Sequence, residues 1–301
     1  MKYFTHLVCS GSALRSLCLL GVLRYIYFNK MENFIKNVAG SSMGAFFCLV
    51  FALKIPVDEL EEILLETIKL SSSIKSSSIF NIFTELGFND AKIYLSGIKK
   101  YIKKKYYMDD ITFIELSKIT GVNIYISTSR VNDGKNIIFN VNDYPNVSVL
   151  DAVAASMCIP GITKPIKIDK NYYVDGCITN NLPYDVFNDI NQDYILNIAI
   201  YIKTDYQVSN LLDKEDDLNF FEYSKQILSI VYSNSLYYSY ISRIQKLKNP
   251  LLIMESPITS FYKLEINDNE IIFNILKDDL DNLTLQGFTD MSNYMKQFLI
   301  E

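Results

Sequence analysis

The sequence predicts a layered α/β fold in which helices pack on a largely parallel central sheet. Two observations carry this prediction. Apolar segments of strand type alternate with helical segments along the chain. A glycine-flanked serine also stands where one of these strands turns into a helix. With 301 residues, 49% of them hydrophobic, the chain is long enough to bury a sizeable core.

The first predicted unit is a strand, a loop and a helix. KYFTHLVC (2–9) is rich in β-forming residues and predicts a strand. SGSALRS (10–16) consists of small residues typical of a loop, whose backbone N–H groups could converge on an oxyanion. LCLLGVLRYIYF (17–28) is apolar on most sides and predicts a buried helix.

The second unit contains the glycine-flanked serine. KNVAG (36–40) predicts a strand, and MGAFFCLVFALK (43–54) predicts a helix that ends before Pro56, where another helix begins. Between them, Gly40, Ser42 and Gly44 match G-x-S-x-G, the pattern of a nucleophile elbow. The three letters alone also fit a serine helix cap, but the strand-turn-helix context favours the elbow.

The remaining segments continue the alternation. The expected helices are 91–107, 112–121 and 148–161, the last ended by Pro160, and the expected strands are 122–128, 136–141, 171–175 and 194–200. The low-complexity stretch 70–83 is typical of a mobile loop. The aromatic stripe in 220–244 indicates helix packing, with lipid contact as the lesser alternative.

Charge and cysteine content limit the classes of function. Lys+Arg 29 against Asp+Glu 34 gives a net charge of -5, which disfavours a nucleic-acid binder. The five cysteines lack C-x-x-C spacing, so we expect reduced, buried thiols and no metal site. The longest apolar run, 43–53, is too short to cross a bilayer, and no signal-peptide cleavage site follows 17–23. An intracellular protein, soluble or peripheral to a membrane, is expected.

A single histidine, His6, restricts the catalytic chemistry. It lies in the first predicted strand near the chain terminus, where a polar side chain is more often structural than catalytic. The base for Ser42 is therefore expected to be a carboxylate. Two aspartates precede a glycine: Asp133 in a polar hairpin, and Asp175 at the end of an apolar strand. Because sites in layered α/β folds form at strand ends, Asp175 is the better candidate.

These elements together resemble the patatin-like phospholipase family. That family combines an S-G-G-G-x-R-G loop, G-x-S-x-G, and a later D-G-G or D-G-A. The corresponding stretches here are SGSALRS (10–16), GSSMG (40–44) and DGC (175–177), with AVAASMCIPG before the aspartate and ITNNLP after it. The resemblance covers residues 4–185. It implies a three-layer α/β/α fold, a single domain over 1–301, and a C-terminal elaboration of that domain in 186–301.

The resemblance also implies a mechanism without cofactor or metal. Ser42 would attack a carboxylic ester of a phospholipid or other acyl lipid, with Asp175 as general base, giving a phospholipase A- or lysophospholipase-like hydrolase. The remaining implied site residues are Gly11, Ser12, Ala13 and Met43 as oxyanion donors, Gly40 and Gly44 in the elbow, and Arg15 and Gly176 in support. Arg15 could hold a phosphate or form a structural salt bridge.

The chain departs from the family pattern at Ser12, Ala13, Ser16 and Cys177, where glycines are usual. All four replacements are small, and a positive φ at Ser12 or Ala13 would cost about 1–2 kcal/mol. We therefore favour a working enzyme. The alternatives are a catalytically silent scaffold that binds lipid or protein, and an acyltransferase using the same dyad.

The sequence also bears on membrane contact and on the source of the protein. Lysines interleaved with apolar residues in 92–106 could meet an anionic lipid surface transiently, although a solvated helix face is favoured. The abundance of Asn, Ile, Lys and Tyr is typical of an AT-rich genome, such as that of a parasite or a large virus. A viral protein of this kind would be expected in the host cytoplasm.

Overall fold

A computed structural model describes residues 3–72, 86–87, 89–160, 163–201, 245, 247, 251–255, 264–267, 270–273 and 277–298. The strands are β1 His6–Cys9, β2 Asn37–Ser41, β3 Asn123–Arg130, β4 Asn136–Phe139, β5 Ile166–Ile168, β6 Asn171–Asp175, β7 Ile195–Tyr201, β8 Leu251–Glu255, β9 Leu264–Asn267 and β10 Glu270–Phe273. The helices are α1 Leu19–Phe28, α2 Met43–Ala52, α3 Val57–Ser72, α4 Ser96–Tyr106, α5 Phe113–Thr120, α6 Val149–Ser156, α7 Cys177–Asn180 and α8 Lys277–Phe298. Short 3-10 segments include Ala13–Cys18, Ala91–Leu95 and Tyr184–Phe187.

The main sheet has the strand order β5-β6-β3-β2-β1-β7-β8, with β4 also paired to β3, and β9 and β10 form a separate hairpin. The five strands β3, β2, β1, β7 and β8 run parallel to one another. Within the described part of the main sheet, the antiparallel pairs are β3 with β4, β3 with β6, and β5 with β6. The predicted largely parallel sheet is therefore confirmed, and the hairpin at Asp133 accounts for the antiparallel pair of β3 and β4. The antiparallel pairs made by β5 and β6 were not indicated by the sequence.

Strand β3 brings β2 and β6 together end to end. Ser127 pairs with Ser41 of β2 and also with β4, so β2 and β4 lie on opposite sides of β3. The next residue, Thr128, pairs with β4 and with Asp175 of β6. Because a strand has only two sides, β6 continues along the side that β2 leaves, and the end of β6 meets the end of β2.

Each face of the sheet carries its own apolar core. Leu7 and Cys9 of β1 belong to the larger core, and Val8 between them belongs to the smaller one, as the two-residue period of a strand requires. Residues of α1 and α2 complete the larger core, whereas Leu182 and Phe187 complete the smaller one. The sheet thus lies between two layers.

The last described helix, α8, packs against α1. Their backbones approach so closely that a Cβ added at Gly21 would lie 1.9 Å from the carbonyl oxygen of Thr284. A side chain at Gly21 would therefore push the two helices apart. The single-domain organisation of 1–301 stays a prediction.

Most predicted elements occur close to their expected positions. Two differences stand out in the first 130 residues. The predicted loop 10–16 is a loop only to Ser12, because a 3-10 segment begins at Ala13, and the predicted helix 91–107 also opens with a 3-10 segment. The strand β5 was not predicted, since three residues carry too little pattern. Residues 73–83 of the expected mobile loop and the aromatic segment 220–244 lie outside the described residues.

The five cysteines are buried and unpaired, as expected. Among the described helices, none has the length and hydropathy needed to span a bilayer.

The basic helix α4 turns its apolar residues inward. Tyr101 and Ile102 are buried in the larger core. Three of the surrounding lysines form ion pairs with carboxylates: Lys92 with Asp151, Lys100 with Glu66, and Lys103 with Asp109. These contacts favour the solvated-face interpretation of the basic segment over insertion of its aromatic residues into lipid.

Candidate active site

Ser42 occupies a sharp turn between β2 and α2. Its φ of 51° and ψ of -127° are costly for a residue with a side chain. A Cβ added at Gly40 would lie 2.6 Å from the backbone of Gly44, and one added at Gly44 would lie 2.4 Å from the carbonyl oxygen of Cys9. Only glycine fits at either position, which explains the pattern on both sides of the serine.

The hydroxyl of Ser42 donates a hydrogen bond to Asp175, with Oγ and Oδ2 2.8 Å apart. The two residues are 133 positions apart in the chain and meet because β2 and β6 end at consecutive residues of β3. Both are buried, Ser42 to 6% exposure and Asp175 to 1%. The carboxylate that the Ser42 hydroxyl faces is therefore shielded from water.

The carboxylate of Asp175 is also held from its second oxygen. The backbone N–H of Cys177 donates to Oδ1 at 2.8 Å, and this bond directs Oδ2 at the serine. Gly176, between them, packs so tightly that a Cβ there would lie 2.1 Å from the carbonyl oxygen of Ser127. The main chain of Asp175 is anchored as well, since the Ser129 hydroxyl donates to its carbonyl oxygen at 2.8 Å.

Ser156, at the end of α6, supports the elbow. Its Oγ accepts a hydrogen bond from the backbone N–H of Ser42 at 2.8 Å and donates to the carbonyl oxygen of Ser127 at 2.6 Å. The main chain of the candidate nucleophile is thus tied to β3 through one buried hydroxyl. Sequence reasoning missed this residue, which lies in the small-residue stretch AVAASMCIPG.

The glycine-loop residues adjoin Ser42. A Cβ at Gly11 would lie 2.7 Å from Cβ of Ser42, so the two residues are in contact. Ala13 adopts a φ of 49°, the strained conformation considered for this position. Among the described residues, the backbone N–H groups of Ser12, Ala13 and Met43 have no acceptor. Arg15 is buried within the 3-10 segment that follows.

Gly11 differs from its predicted role. Its N–H, expected to face an oxyanion, donates instead to Oδ1 of Asn181 at 2.9 Å. The same oxygen accepts from the thiol of Cys177 at 2.9 Å. Burial first, and then the charge of Asp175, raise the pKa of the Cys177 thiol well above its usual value, so this thiol keeps its proton.

His6 lies far from Ser42. It stands opposite Asn37 in the β1–β2 ladder. Asn37 precedes Ser42 by five residues, so His6 and Ser42 are separated by on the order of 15 Å at the usual rise of a strand. Its Nδ1 lies 2.8 Å from the hydroxyl of Thr5, and its ring packs edge-on against Phe187. Burial lowers the pKa of His6. These contacts describe a structural histidine.

Asp133 lies in the turn between β3 and β4, which spans residues 131–135. Arg130 donates to both of its carboxylate oxygens, from Nε at 2.8 Å and from a terminal nitrogen at 2.7 Å. These bonds lower the pKa of Asp133 to about 2. The described residues include no group of three or more His, Cys, Asp or Glu side chains able to hold a metal ion.

Comparison with known proteins shows which family the chain resembles. A family model described as patatin-like phospholipase matches residues 7–188, which include both Ser42 and Asp175. Protein R571 of Acanthamoeba polyphaga mimivirus, which is uncharacterized, is 25% identical over 272 residues that cover 89% of each chain. The probable lipid hydrolase 463L of Invertebrate iridescent virus 6 is 30% identical over 189 residues, or 62% of this chain and 63% of that protein.

The fold is shared with a bacterial protein of known structure. VipD from Legionella pneumophila superposes with a TM-score of 0.60 at 13% identity. The match covers 99% of this chain and 67% of VipD. At this identity the likeness concerns the fold alone, and it confirms the predicted fold class.

Proposed function

The chain belongs to the patatin-like phospholipase family, and from that premise we propose that it is a lipid acyl hydrolase with a Ser42–Asp175 dyad. Family membership and the viral relative named as a probable lipid hydrolase support lipid hydrolysis in general. The dyad rests chiefly on one observation, the 2.8 Å hydrogen bond from the Ser42 hydroxyl to Oδ2 of Asp175.

In the first step Asp175 takes the proton of the Ser42 hydroxyl while Oγ bonds to the ester carbonyl carbon. The carbonyl π electrons move to oxygen and give a tetrahedral oxyanion. When this oxyanion collapses, the bond to the alcohol breaks, and the departing oxygen takes the proton back from Asp175. The lipid acyl chain is left as an ester on Ser42.

Water completes the reaction through the same groups. Asp175 takes a proton from water, the hydroxide oxygen bonds to the acyl carbon, and a second tetrahedral oxyanion forms. Its collapse breaks the bond to Oγ, which recovers its proton from Asp175. The products are a free fatty acid and the unmodified enzyme.

The oxyanion is assigned to the backbone N–H groups of Ser12, Ala13 and Met43. These groups have no acceptor among the described residues and belong to segments that adjoin Ser42. Met43 is also the first residue of α2, where the helix dipole favours negative charge. Gly11 contributes close approach to Ser42 instead of a donor.

The catalytically silent alternative has less support. A scaffold that no longer catalyses a reaction has no need for a nucleophile at φ 51° or for a carboxylate buried to 1% exposure. Strain and burial of this kind lower the stability of the fold. They are therefore retained where function requires them.

A fluorophosphonate probe tests the proposal directly. The purified chain should be labelled, and mass spectrometry should locate the adduct on Ser42. Phospholipid vesicles should release fatty acid, and added alcohol distinguishes a hydrolase from an acyltransferase by its products. Ser42→Ala should remove both labelling and turnover without unfolding the protein.

The neighbouring hydroxyl provides the matched control. Ser41→Ala removes a buried serine of β2 whose Oγ lies 3.7 Å from the Cys177 thiol. The adduct on Ser42 should persist in this variant. Full ester turnover by purified Ser42→Ala would overturn the nucleophile assignment.

A further inference from the structure

We propose that Asn181 is a positioning residue for the oxyanion loop. Its side-chain amide forms hydrogen bonds with both the N–H and the carbonyl oxygen of Gly11. These bonds set where the following N–H groups of Ser12 and Ala13 lie relative to Ser42. This inference rests on the proposed hydrolase function and names a further residue on which that function depends.

The two hydrogen bonds join residues that are 170 positions apart in the chain. Nδ2 of Asn181 donates to the carbonyl oxygen of Gly11 at 3.0 Å, and the N–H of Gly11 donates to Oδ1 of Asn181 at 2.9 Å. Two opposed bonds restrain the main chain on both sides of Gly11, as a β-ladder does. With Asn181 exposed by only 4%, water has little access to compete for these partners.

A third hydrogen bond fixes which way the amide points. The Cys177 thiol donates to the same Oδ1 at 2.9 Å, so that oxygen accepts from two donors. A rotated amide would set its NH₂ group against the Gly11 N–H and the thiol proton, leaving donors facing donors. Cys177 stands where the family usually has glycine or alanine, so this support is a feature of this chain.

The hydrogen bonds from Asn181 can affect catalysis because Gly11 is in contact with the nucleophile. A Cβ at Gly11 would lie 2.7 Å from Cβ of Ser42 and 2.8 Å from the sulfur of Cys177. The loop therefore has no free space on the side of Ser42 and Cys177. Its position depends on the two hydrogen bonds that Asn181 forms with Gly11. The amide bonds to Gly11 and Cys177 and to no reacting atom, so its role is positional.

Asn181→Ala tests the inference. Loss of the two hydrogen bonds to Gly11 should lower kcat by about 10–100-fold, somewhat less than removal of a whole oxyanion donor. KM should change little, because the oxyanion exists only in the transition state and the intermediates. Labelling of Ser42 by the fluorophosphonate should slow by a similar factor. Asn181→Asp keeps the size and the acceptor but loses the donor to Gly11, and it should not rescue kcat.

Asn180→Ala is the matched control. Asn180 is the preceding residue, is buried to a similar 2% exposure, and donates from Nδ2 to Asp185 at 3.0 Å and not to Gly11. Both alanine variants should lower Tm comparably, but only Asn181→Ala should slow labelling. Equal losses of kcat in the two variants would overturn the inference, as would full kcat in folded Asn181→Ala or Asn181→Asp.

The two proposals fail in different ways. A wild-type chain that neither hydrolyses acyl esters nor reacts with the fluorophosphonate overturns the proposed function, and this inference with it. An active wild type labelled on Ser42, with Asn181 variants that keep their labelling rate, overturns the inference alone.

Discussion

Two Asp-Gly pairs lie at the same end of β3 and have opposite surroundings. Asp175 pairs with Thr128 in the ladder between β3 and β6, and Asp133 follows three residues after β3 ends at Arg130. Asp175 is 1% exposed and accepts from the hydroxyl of Ser42 and a backbone N–H. Asp133 is exposed and accepts both of its short bonds from a guanidinium.

The difference teaches what makes an aspartate a base. Hydrogen bonds from the Arg130 guanidinium, helped by its charge, lower the pKa of Asp133 from 3.8 to about 2, so this carboxylate holds a proton poorly. A dry site penalises the charged form of a carboxylate and favours proton uptake. The dipeptide is the same in both places, so burial and the kind of donor distinguish the two roles.

The largest expected effect belongs to Asp175→Asn. The amide keeps the shape of the side chain but cannot take the proton of Ser42. We expect kcat on a simple acyl ester to fall by about 10²–10⁴-fold, the usual value of general-base assistance. Fluorophosphonate labelling of Ser42 should slow as well, because the same proton must leave.

Asp133→Asn is the matched variant for this measurement. It should leave kcat/KM unchanged, since the turn lies outside the dyad. If Asp133→Asn were the crippled enzyme and Asp175→Asn the mild one, the active site would have been assigned to the wrong strand.

Ser156→Ala tests the support that the buried site needs and the exposed turn does not. Without the hydroxyl, the N–H of Ser42 is left buried without its acceptor, and the free energy of unfolding should fall by about 1–3 kcal/mol. Urea denaturation measures this loss. A loss no larger than that of Ser117→Ala, on half-buried α5, would contradict the supporting role.

Arg130→Gln should change the exposed pair and leave the buried one alone. We expect NMR titration to show a higher pKa for Asp133 in this variant than the value of about 2, with Lys135 still holding it below 3.8. Because the folded-state pKa lies below the unfolded value, the ion pair stabilises the wild type above pH 3.8, and that stabilisation is lost as the pH falls toward 2. A pKa of Asp133 that stayed near 2 would show that Arg130 is not its cause.

His6→Gln should have the smallest effect on catalysis. The histidine is the remaining alternative to Asp175 as proton acceptor. It lies beside the first residue of β2, whereas Ser42 follows the last residue of that strand. We expect kcat to remain that of the wild type after correction for stability. A loss as large as that of Asp175→Asn, in a protein with a normal Tm, would make His6 the base.

Local sequence patterns predicted the elements that build the elbow. β-forming residues marked β1 and β2, small residues and glycines marked the turn at Ser42, and an apolar run marked α2. The Asp-Gly pair at 133 marked the hairpin of β3 and β4, but the antiparallel pairs of β5 and β6 were not predictable in the same way. β5 has three residues, and the placement of β6 beside β3 depends on pairing between segments more than 40 residues apart.

The candidate site divides along the same line. The roles of Ser42 and Asp175 could be proposed from their flanking residues and from the family pattern. The bonds of Asn181 to Gly11 and of Ser156 to Ser42 could not, because they join residues 170 and 114 positions apart. Asn181 stood in the quoted stretch ITNNLP, but nothing in that stretch names its partner.

The end-to-end meeting of β2 and β6 has a consequence for how the gene can change. The distance between the dyad residues depends on two adjacent rungs of β3, at Ser127 and Thr128, and not on the length of chain between them. We expect the β3–β4 turn at 131–135 to accept inserted residues with little loss of activity. One residue inserted between Ser127 and Thr128 would turn Asp175 to the opposite face of the sheet and separate the dyad. Evolution is therefore free to lengthen this turn, but not to shift that one step of β3.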